Sequence, residues 1–430
     1  MTPLALSGLD VDGVNRCVHC GLCLAYCPTF SLLGTEMDSP RGRIFLIKSL
    51  AEGRMALSES VATHLDLCLG CRACETVCPS GVPYGQLIEA GRAEIERRRP
   101  GSLARRLFRW ANFSLLLAHP RVLSLAAAGL RFYQQSGLRR LARASGLLRL
   151  LPGKLADWEP LLPDLPPAAD RARLPEAIPA EGTKRAKVGL LTGCIQQVAF
   201  GPQNRATARV LAKNGVEVLV PAGQTCCGAL HAHSGEHETA LELARQTIGV
   251  FEASGADYVI VNTSGCGAHM KAYGTLLADD PAWRDRARRF AERVRDVSEF
   301  LAAEPLRGPL REVRRTVTYH DPCHVVHGQK ISQQPRALLA QIPGLTLVDL
   351  KEADWCCGSA GTYNLTQPEM ARRLQERKIA HIQATKADAV VTSNPGCIIQ
   401  IAQGLRAAGT PIDVLHIVEV LDQAYGGGKS

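Results

Sequence analysis

From residue 187 onward, short apolar runs alternate with amphipathic stretches in an order that occurs twice. The first unit has apolar runs at 187–194, 216–221 and 257–266, with helical periodicity at 204–214 and 236–253. The second has apolar runs at 316–323, 345–350 and 388–397, with helical periodicity at 369–384. This alternation predicts α/β structure with a largely parallel sheet, and the repetition predicts two related half-domains.

The residues before this repeat divide into three further segments. Residues 1–100 are rich in cysteine, and 101–151 alternate Arg with Leu, Ala and Phe as amphipathic helices do. Seven prolines between Pro152 and Pro179 predict an extended linker. The predicted multidomain boundaries are therefore 1–100, 101–151, 152–184, 185–310 and 311–430.

Length and composition bound the class of protein. A chain of 430 residues that is 46% hydrophobic is expected to form two or three globular units. The most apolar stretch, 113–130, is interrupted by His119, Pro120 and Arg121, so we predict no transmembrane helix. The first residues lack the pattern of a signal peptide, and the sixteen cysteines are thus expected in a reducing cytoplasm.

The positive charge is concentrated in one segment. The net charge is +9, and residues 101–150 hold nine Arg with no Asp, Glu or Lys. Two interpretations of this segment remain open. In the first, it docks on an anionic membrane or an acidic partner. In the second, it forms helices whose Arg faces are simply solvated. No aromatic pattern of nucleic-acid binding accompanies the arginines, so no nucleic-acid partner is expected.

Two cysteine motifs in the first segment predict iron–sulfur chemistry. Cys17, Cys20, Cys23 and Cys27 precede Pro28, and Cys68, Cys71, Cys74 and Cys78 precede Pro79, both with bacterial ferredoxin spacing. In two-cluster ferredoxins the fourth cysteine ligates the other cluster, so we expect one [4Fe-4S] cluster on Cys17, Cys20, Cys23 and Cys78. The second is expected on Cys68, Cys71, Cys74 and Cys27. Zinc sites are the weaker alternative because they pair two C-x-x-C units.

Clusters of this type transfer single electrons and require a donor and an acceptor. The chain has no G-x-G-x-x-G nucleotide fingerprint, which places both outside it. We therefore expect an electron-transfer protein that holds no FAD and contributes no catalytic residue of its own.

The repeat carries a second set of cysteines. Cys194, Cys226, Cys227 and Cys266 in the first unit match Cys323, Cys356, Cys357 and Cys397 in the second. Each lies at or just after an apolar run, where ligands gather in α/β sheets. They are candidate metal ligands for one or more additional [4Fe-4S] clusters, and the alternative is a set of reduced structural thiols.

The Cys-Cys-Gly sequences resemble the cysteine-rich (CCG) domain of heterodisulfide reductase and of related iron–sulfur proteins. The resemblance implies Rossmann-like half-domains and a fifth cysteine three positions after Cys266 and Cys397, where this chain has His269 and Gln400. The missing fifth cysteine argues against a disulfide-cleaving cluster. In the first unit, His269 is a possible substitute ligand. His320 and His324 flank Cys323. They are interpreted either as hydrogen-bond donors to a cluster or as ordinary loop histidines.

The whole chain resembles the iron–sulfur subunits of glycolate oxidase. The stretches that carry the resemblance are CVHCGLCLAYCPTFSLLGTEMDSPRGRIFLIK, HLDLCLGCRACETVCPSGVPYGQLI, TCCGALHAH, NTSGCGAHMKAYG and WCCGSAGTYNLTQPEMARRL. The resemblance implies two FAD-containing partner subunits that oxidise glycolate to glyoxylate, with electrons passing to quinone. It also implies a cytoplasmic protein, peripheral to the membrane. The alternatives are a lactate or glycerol-3-phosphate dehydrogenase subunit and a heterodisulfide-reductase-like subunit.

Overall fold

The computed structural model describes residues 9–98, 101–146 and 158–427. The N-terminal module is helical, and two of its helices start at a serine that caps them. Ser39 accepts a hydrogen bond from Gly42 N ahead of Pro40, and Ser58 accepts one from Val61 N. The helices and 3-10 turns of the module are Val11–Asn15, Leu24–Tyr26, Pro28–Leu33, Glu36–Asp38, Pro40–Ala51, Glu59–Asp66, Ala73–Thr76 and Tyr84–Arg98. They enclose an apolar core beside the cysteine loops, which therefore rest on a rigid base.

The Arg-rich segment forms helices, as predicted. Their bounds are Leu103–Arg109, Trp110–Leu117, Pro120–Gln135 and Leu138–Ala144. His119 is extended and Pro120 occupies the first helical turn, so the chain bends by 104° between Leu103–Leu117 and Pro120–Gln135. Within the described residues no single helix is long and apolar enough to span a membrane, although this bent pair meets the length and composition criteria jointly.

The structure describes 158–184 of the extended linker predicted over 152–184, and this part is mostly irregular with short regular elements. That part contains the turn Glu159–Leu161, the helix Ala168–Arg171 and the strand β1 (Ala177–Ile178), while Pro152 lies outside the described residues. Arg205 Nη2 donates to Ala169 O, and Val220 N donates to Glu176 O. Backbone carbonyls in this segment thus find partners on the neighbouring domain, which proline content alone does not reveal.

The first half-domain contains a five-stranded sheet in the order β1-β3-β2-β4-β5. Its other strands are β2 (Ala186–Leu190), β3 (Val216–Leu219), β4 (Tyr258–Val261) and β5 (Val294–Asp296), and only the β1–β3 pair is antiparallel. In register, Val188 of β2 lies between Val218 and Tyr258. The helices are Ile195–Ala199, Gly201–Lys213, Ala229–His233, His237–Ala253, Ser264–Lys271, Tyr273–Leu276, Arg284–Ala291 and Val297–Leu301.

The second half-domain repeats this order with a fully parallel sheet, β7-β6-β8-β9. The strands are β6 (Arg315–Tyr319), β7 (Leu345–Val348), β8 (Ala389–Thr392) and β9 (Asp413–His416). The helical elements are His324–Gly328, Gln333–Leu339, Tyr363–Thr366, Pro368–Ala384, Pro395–Ala407 and Ile417–Ala424. In both sheets the first strand lies next to the second and the third, and the crevice at their carboxyl ends is where ligands bind in such sheets.

The two half-domains share one apolar core. Val188, Val218 and Ile260 of the first sheet belong to the same buried cluster as Val317 and Val391 of the second. At its edge Arg209 forms a bidentate ion pair with Asp422, at 2.9 Å from Nε to Oδ1 and 2.5 Å from Nη2 to Oδ2. Because this buried cluster contains residues of both sheets, the two half-domains pack as one unit.

The N-terminal module is held against both half-domains by hydrogen bonds to backbone carbonyls. Arg92 Nη1 donates to His233 O at 3.0 Å, Tyr363 OH to Leu67 O at 3.0 Å and His324 Nε2 to Gly70 O at 2.9 Å. These contacts place the second cysteine motif of the module against the cysteine loops of the half-domains.

Candidate metal centres

All sixteen cysteines are free thiols. Most of them are buried or half-buried, whereas Cys20 is exposed. They lie in four groups, two in the N-terminal module and one at the carboxyl end of each sheet. Grouped thiols without disulfides are the donor sets that thiolate-bound metals use.

The first group gathers cysteines from both ferredoxin-type motifs around one cavity. The cavity is lined by Cys17, Cys20, Cys23, Cys74 and Cys78. Gly21, with φ of 84°, turns the loop in a backbone conformation that glycine adopts without strain. Burial raises the pKa of the Cys23 thiol to about 11, and the Cys17 thiol adds to the rise. Cys78 of the second motif therefore lies beside the first three cysteines of the first motif.

The second group contains Cys68, Cys71 and Cys74, with Cys27 of the first motif nearby. Burial raises the pKa of the Cys74 thiol well above its usual value, and the Cys71, Cys68 and Cys27 thiols raise it further. Cys27 precedes Pro28, which opens a helix, and its Sγ lies 3.2 Å from Thr29 Oγ1. Cys27 Sγ also lies 3.7 Å from Asp38 O, outside the loop of the first three cysteines.

Positive charge and hydrogen-bond donors surround Cys68. Gly70 N donates to its Sγ at 3.3 Å and Tyr84 OH at 3.4 Å. Burial opposes ionisation of this thiol, yet Arg43 and Arg92 lower its pKa overall. The fully buried Arg43 is fixed by hydrogen bonds to Asp38 O at 2.7 Å and Thr29 Oγ1 at 3.0 Å. The environment therefore stabilises negative charge on sulfur, as an anionic metal–thiolate group requires.

The third group lies at the carboxyl end of the first sheet. Cys194 caps the helix after β2, and its Sγ is 3.7 Å from Cys226 Sγ. Gly228 N donates to Cys226 Sγ at 3.4 Å, and His231 Nδ1 lies 3.9 Å from the same sulfur. The other ring nitrogen of His231 contacts Phe113 O at 2.9 Å, so the Arg-rich helices cover this group.

The fourth group lies at the carboxyl end of the second sheet. Cys357, Cys397 and His320 each offer one ligand atom, and these atoms all lie within 4.8 Å of one another. Hydrogen bonds with the Cys356 and Cys397 thiols hold the pKa of Cys357 well below its usual value against the effect of burial, and His320 lowers it further. Asn394 Nδ2 donates to Cys397 Sγ at 3.4 Å.

The second and fourth groups adjoin across the interface between the module and the second half-domain. Cys71 and Cys323 pack in one apolar cluster with Leu69, Cys356 and Tyr363. Burial raises the pKa of the Cys71 thiol well above its usual value, and Cys323 is the next contributor. Thiols of separate domains are thus close neighbours at this interface.

The structure gives the local setting of three site residues. Cys266 and Cys397, expected at or just after apolar runs, are the third residues of the helices that follow β4 and β8. Pro395 in the first turn is the sequence signal for the second of these helices. His269, the possible substitute ligand, is buried with no hydrogen-bond partner for Nε2, and a Cβ on Gly228 would lie 3.3 Å from that atom.

The Arg-rich helices use part of their charge internally. Arg109 pairs with Glu96 and Glu236, and Arg139 and Arg143 pair with Glu159. Apolar side chains on the same helices are nevertheless exposed, namely Leu103, Leu107, Trp110, Leu125, Phe132 and Leu141. The surface is therefore more apolar than the sequence suggested, because several arginines face the protein.

Protein-family models match most of the chain. The 4Fe-4S dicluster domain matches residues 13–82, and the cysteine-rich domain matches 188–271 and 317–402. The linker region of the glycolate oxidase iron-sulfur subunit matches 104–162. These matches agree with the two ferredoxin-type motifs and with the repeated cysteine groups described above.

Curated relatives align along nearly the whole chain. The probable glycolate oxidase iron-sulfur subunit of Bacillus subtilis is 41% identical over 97% of this chain and 95% of the relative. The glycolate oxidase iron-sulfur subunit of Escherichia coli is 35% identical over the same shares. Lactate utilization protein A of Shouchella clausii is 33% identical over 55% of this chain and 98% of the relative.

Proposed function

The chain belongs to the family of glycolate oxidase iron–sulfur subunits, and we propose that it carries electrons from flavoprotein partners toward quinone. Its dicluster domain and its cysteine-rich repeats are those of an iron–sulfur protein. The observation that carries the proposed route is the proximity of Cys71 and Cys323, where the N-terminal module meets the second half-domain.

The ligand assignment for the N-terminal module is part of this proposal. Cys17, Cys20, Cys23 and Cys78 would hold one [4Fe-4S] cluster, and Cys68, Cys71, Cys74 and Cys27 the other. The shared cavity of the first set and the influence of Cys27 on Cys74 support this crossed arrangement. When bound, such clusters accept and release one electron at a time.

The chain's own residues would set the conditions for that transfer. Arg43 and Arg92 place positive charge near Cys68, and Tyr84 OH and Gly70 N donate hydrogen bonds to its sulfur. Both effects favour the more negatively charged, reduced state. At the junction, the partly buried Cys71 and Cys323 pack against the buried Leu69, Cys356 and Tyr363.

The partners follow from the chemistry that the chain lacks. Oxidation of a 2-hydroxy acid removes two electrons, and the chain has no nucleotide fingerprint with which to bind a flavin. The family resemblance implies that two FAD-containing subunits oxidise glycolate to glyoxylate, and this chain would divide the electron pair into single transfers. The eight cysteines of the half-domains would hold further clusters in Rossmann-like folds.

The exposed apolar and arginine side chains of 101–146 support peripheral contact with an anionic membrane on its cytoplasmic side. Arg106, Arg121 and Arg140 form no ion pair within the described residues, and Leu103, Leu107 and Trp110 are exposed. Cationic and apolar groups on one helical surface are the combination that binds anionic lipid. Sedimentation with anionic vesicles at low salt, and its loss with neutral vesicles, would support this contact.

Cys71→Ser in the assembled complex tests the electron route. With the flavoprotein subunits present, glycolate should still reduce the flavin at the normal rate, while quinone reduction should be lost. Ser60→Ala, at an exposed position of the helix Glu59–Asp66, leaves every cysteine in place and is the control. Normal quinone reduction by the Cys71→Ser complex would contradict the route.

A lactate-oxidising complex is the second candidate, favoured by the similarity to lactate utilization protein A. That relative aligns with 55% of the chain, whereas the glycolate oxidase relatives align with 97%. Comparing flavin reduction by glycolate and by lactate in the assembled complex separates the two, and we expect glycolate to be preferred.

A further inference from the structure

His320 combines three features of a metal-binding histidine. Its side chain is 1% exposed, and Nδ1 lies 3.0 Å from the carbonyl oxygen of Ala353. Nε2 is buried and has no hydrogen-bond partner. Because a carbonyl oxygen only accepts hydrogen bonds, Nδ1 carries the proton, and the lone pair of Nε2 remains available.

A hydrogen bond from the opposite ring nitrogen to a backbone carbonyl is the usual support of a histidine metal ligand. Here that carbonyl is itself fixed, because Ala353 O also accepts from Asp321 N at 3.1 Å and from Lys378 Nζ at 3.3 Å. The orientation of the ring is thus determined by the backbone around β6 and by the helix Pro368–Ala384. A buried nitrogen left without a partner is otherwise unfavourable.

The neighbours of His320 are soft ligands. The ligand atoms of His320, Cys357 and Cys397 lie within 4.8 Å of one another, and all three residues are buried. Cys356, which is next to Cys357 in the sequence, is also buried. The buried amine of Lys378 lies near these thiols and would offset the negative charge of a metal–thiolate centre. Imidazole with thiolates is a set that binds iron or zinc.

We propose that His320 is a metal ligand of the second half-domain, acting through Nε2 together with Cys357 and Cys397. The inference rests on the proposed metal loading of the half-domains and adds a ligand that the cysteine pattern does not contain. At the matching position before Cys194 the first half-domain has Leu191, so the two sites differ. The ligand set of the second site is therefore mixed, with imidazole in addition to thiolates.

Metal analysis of the full chain, prepared without oxygen, tests the proposal. His320→Gln should lose the metal of the second half-domain, which is about four irons if it is a cluster or one zinc if it is a single ion. His320→Cys should restore it because a thiolate replaces the imidazole. His327→Gln is the matched control: His327 lies in the same region, but Nδ1 contacts Thr76 Oγ1 and Nε2 contacts Asp354 O.

Spectroscopy of the metal can detect a directly bound histidine nitrogen. Substitution of a histidine with a structural role only would not change such a signal. If the metal is iron, ¹⁵N-histidine labelling should reveal a directly coordinated nitrogen in the pulsed EPR spectrum, and His320→Gln should remove it. If the metal is zinc, X-ray absorption should show one nitrogen ligand that the same substitution removes. Unchanged metal content and an unchanged spectrum in His320→Gln would overturn the proposal.

The irons of the N-terminal module distinguish a failure of the His320 proposal from a failure of the proposed function. The module's eight cysteines are separate from His320, so His320→Gln should retain about eight irons even if it loses the second-half metal. Absence of those irons from the unmodified chain would contradict the proposed function instead. Retention of all metal by His320→Gln, with the N-terminal irons present, would contradict only the role of His320.

Discussion

At the scale of single residues, Arg43 connects the fold of the N-terminal module to its metal chemistry. Its guanidinium is fully buried and contacts Asp38, Thr29 and the backbone carbonyl of His64. It also lies near Cys68, whose pKa it lowers against the effect of burial. One buried cation thus holds a loop in place and supplies charge to a thiol.

Arg43→Met should lower the free energy of unfolding by about 3–5 kcal/mol, because it removes the cation that faces the buried Asp38 carboxylate and leaves His64 Nδ1 as the remaining side-chain contact of that carboxylate. Arg41→Met is the control, since its ion pair with Glu36 is partly exposed and should cost at most about 1 kcal/mol. Urea unfolding measured by circular dichroism would compare them. Equal losses for the two variants would contradict the role of Arg43.

Tyr84→Phe should lower the reduction potential of the cluster that Cys68 is proposed to bind. The substitution removes the hydrogen bond from Tyr84 OH to Cys68 Sγ, which favours the reduced state. A contribution of about 1 kcal/mol corresponds to a decrease of roughly 40 mV for one electron. EPR-monitored redox titration measures this decrease, with the exposed Tyr26→Phe as control. A potential that stays the same or rises would count against the assignment.

The cysteine spacing was the most informative sequence signal at this scale. It predicted the thiol groups of the module because loop length and ligand type are local properties. The arrangement around His320 was not predictable in the same way. The three ligand-bearing residues are separated by 37 and 40 positions along the chain, and only the folded sheet brings them together. Which ring nitrogen is free depends on the position of Ala353 O, and that position is a property of the fold.

At the scale of elements, the repeated strands and long helices were predictable because their apolar runs are continuous. The helix predicted at 369–384 is Pro368–Ala384, and the run at 216–221 contains β3. β5 and β9 were missed: they are three and four residues long, and β9 is only partly buried. Short edge strands owe their pairing to neighbours distant in sequence, so their own residues carry little signal.

The helix Pro120–Gln135 lies over the cysteines of the first half-domain, and its effect on their accessibility can be measured. Leu123 and Ala127 of Pro120–Gln135 pack with Val198, beside Cys194. Leu123, which is 5% exposed, and Leu125, which is 74% exposed, lie on opposite sides of this helix. We infer that the helix limits solvent access to the thiols beneath it.

Leu123→Asp should accelerate alkylation of Cys194 and Cys226 by iodoacetamide in metal-free protein. A carboxylate at this buried position is unfavourable, so the helix should move away from the half-domain. Leu125→Asp should leave the rate unchanged. Mass spectrometry of peptides from timed reactions would give both rates. Equal labelling of these cysteines in the two variants would show that the helix is not their cover.

At the scale of the whole molecule, the shared core makes the two half-domains thermodynamically dependent on each other. Ile260 of the first sheet and Val317 of the second are fully buried in the same cluster. The sequence repeat predicted two half-domains, and it could not show that they share a core, because apolar periodicity marks a buried face without identifying what covers it.

Ile260→Ala should destabilise both sheets together, by about 2–5 kcal/mol. In hydrogen exchange with mass spectrometry, amides of β2 and β4 and those of β6 and β8 should lose protection in parallel. Arg372→Ala, an exposed position, should change neither. Loss of protection confined to the first sheet would mean that the half-domains unfold independently.

Electron transfer by this chain depends on iron–sulfur clusters in the N-terminal module. The most direct test is iron and acid-labile sulfide per chain in protein prepared without oxygen, combined with EPR of the reduced form. We predict at least about eight irons and eight sulfides per chain, with the signals of two [4Fe-4S] clusters. Fewer than about eight irons after full reconstitution, or zinc in place of iron and sulfide in the module, would contradict the proposed electron transfer.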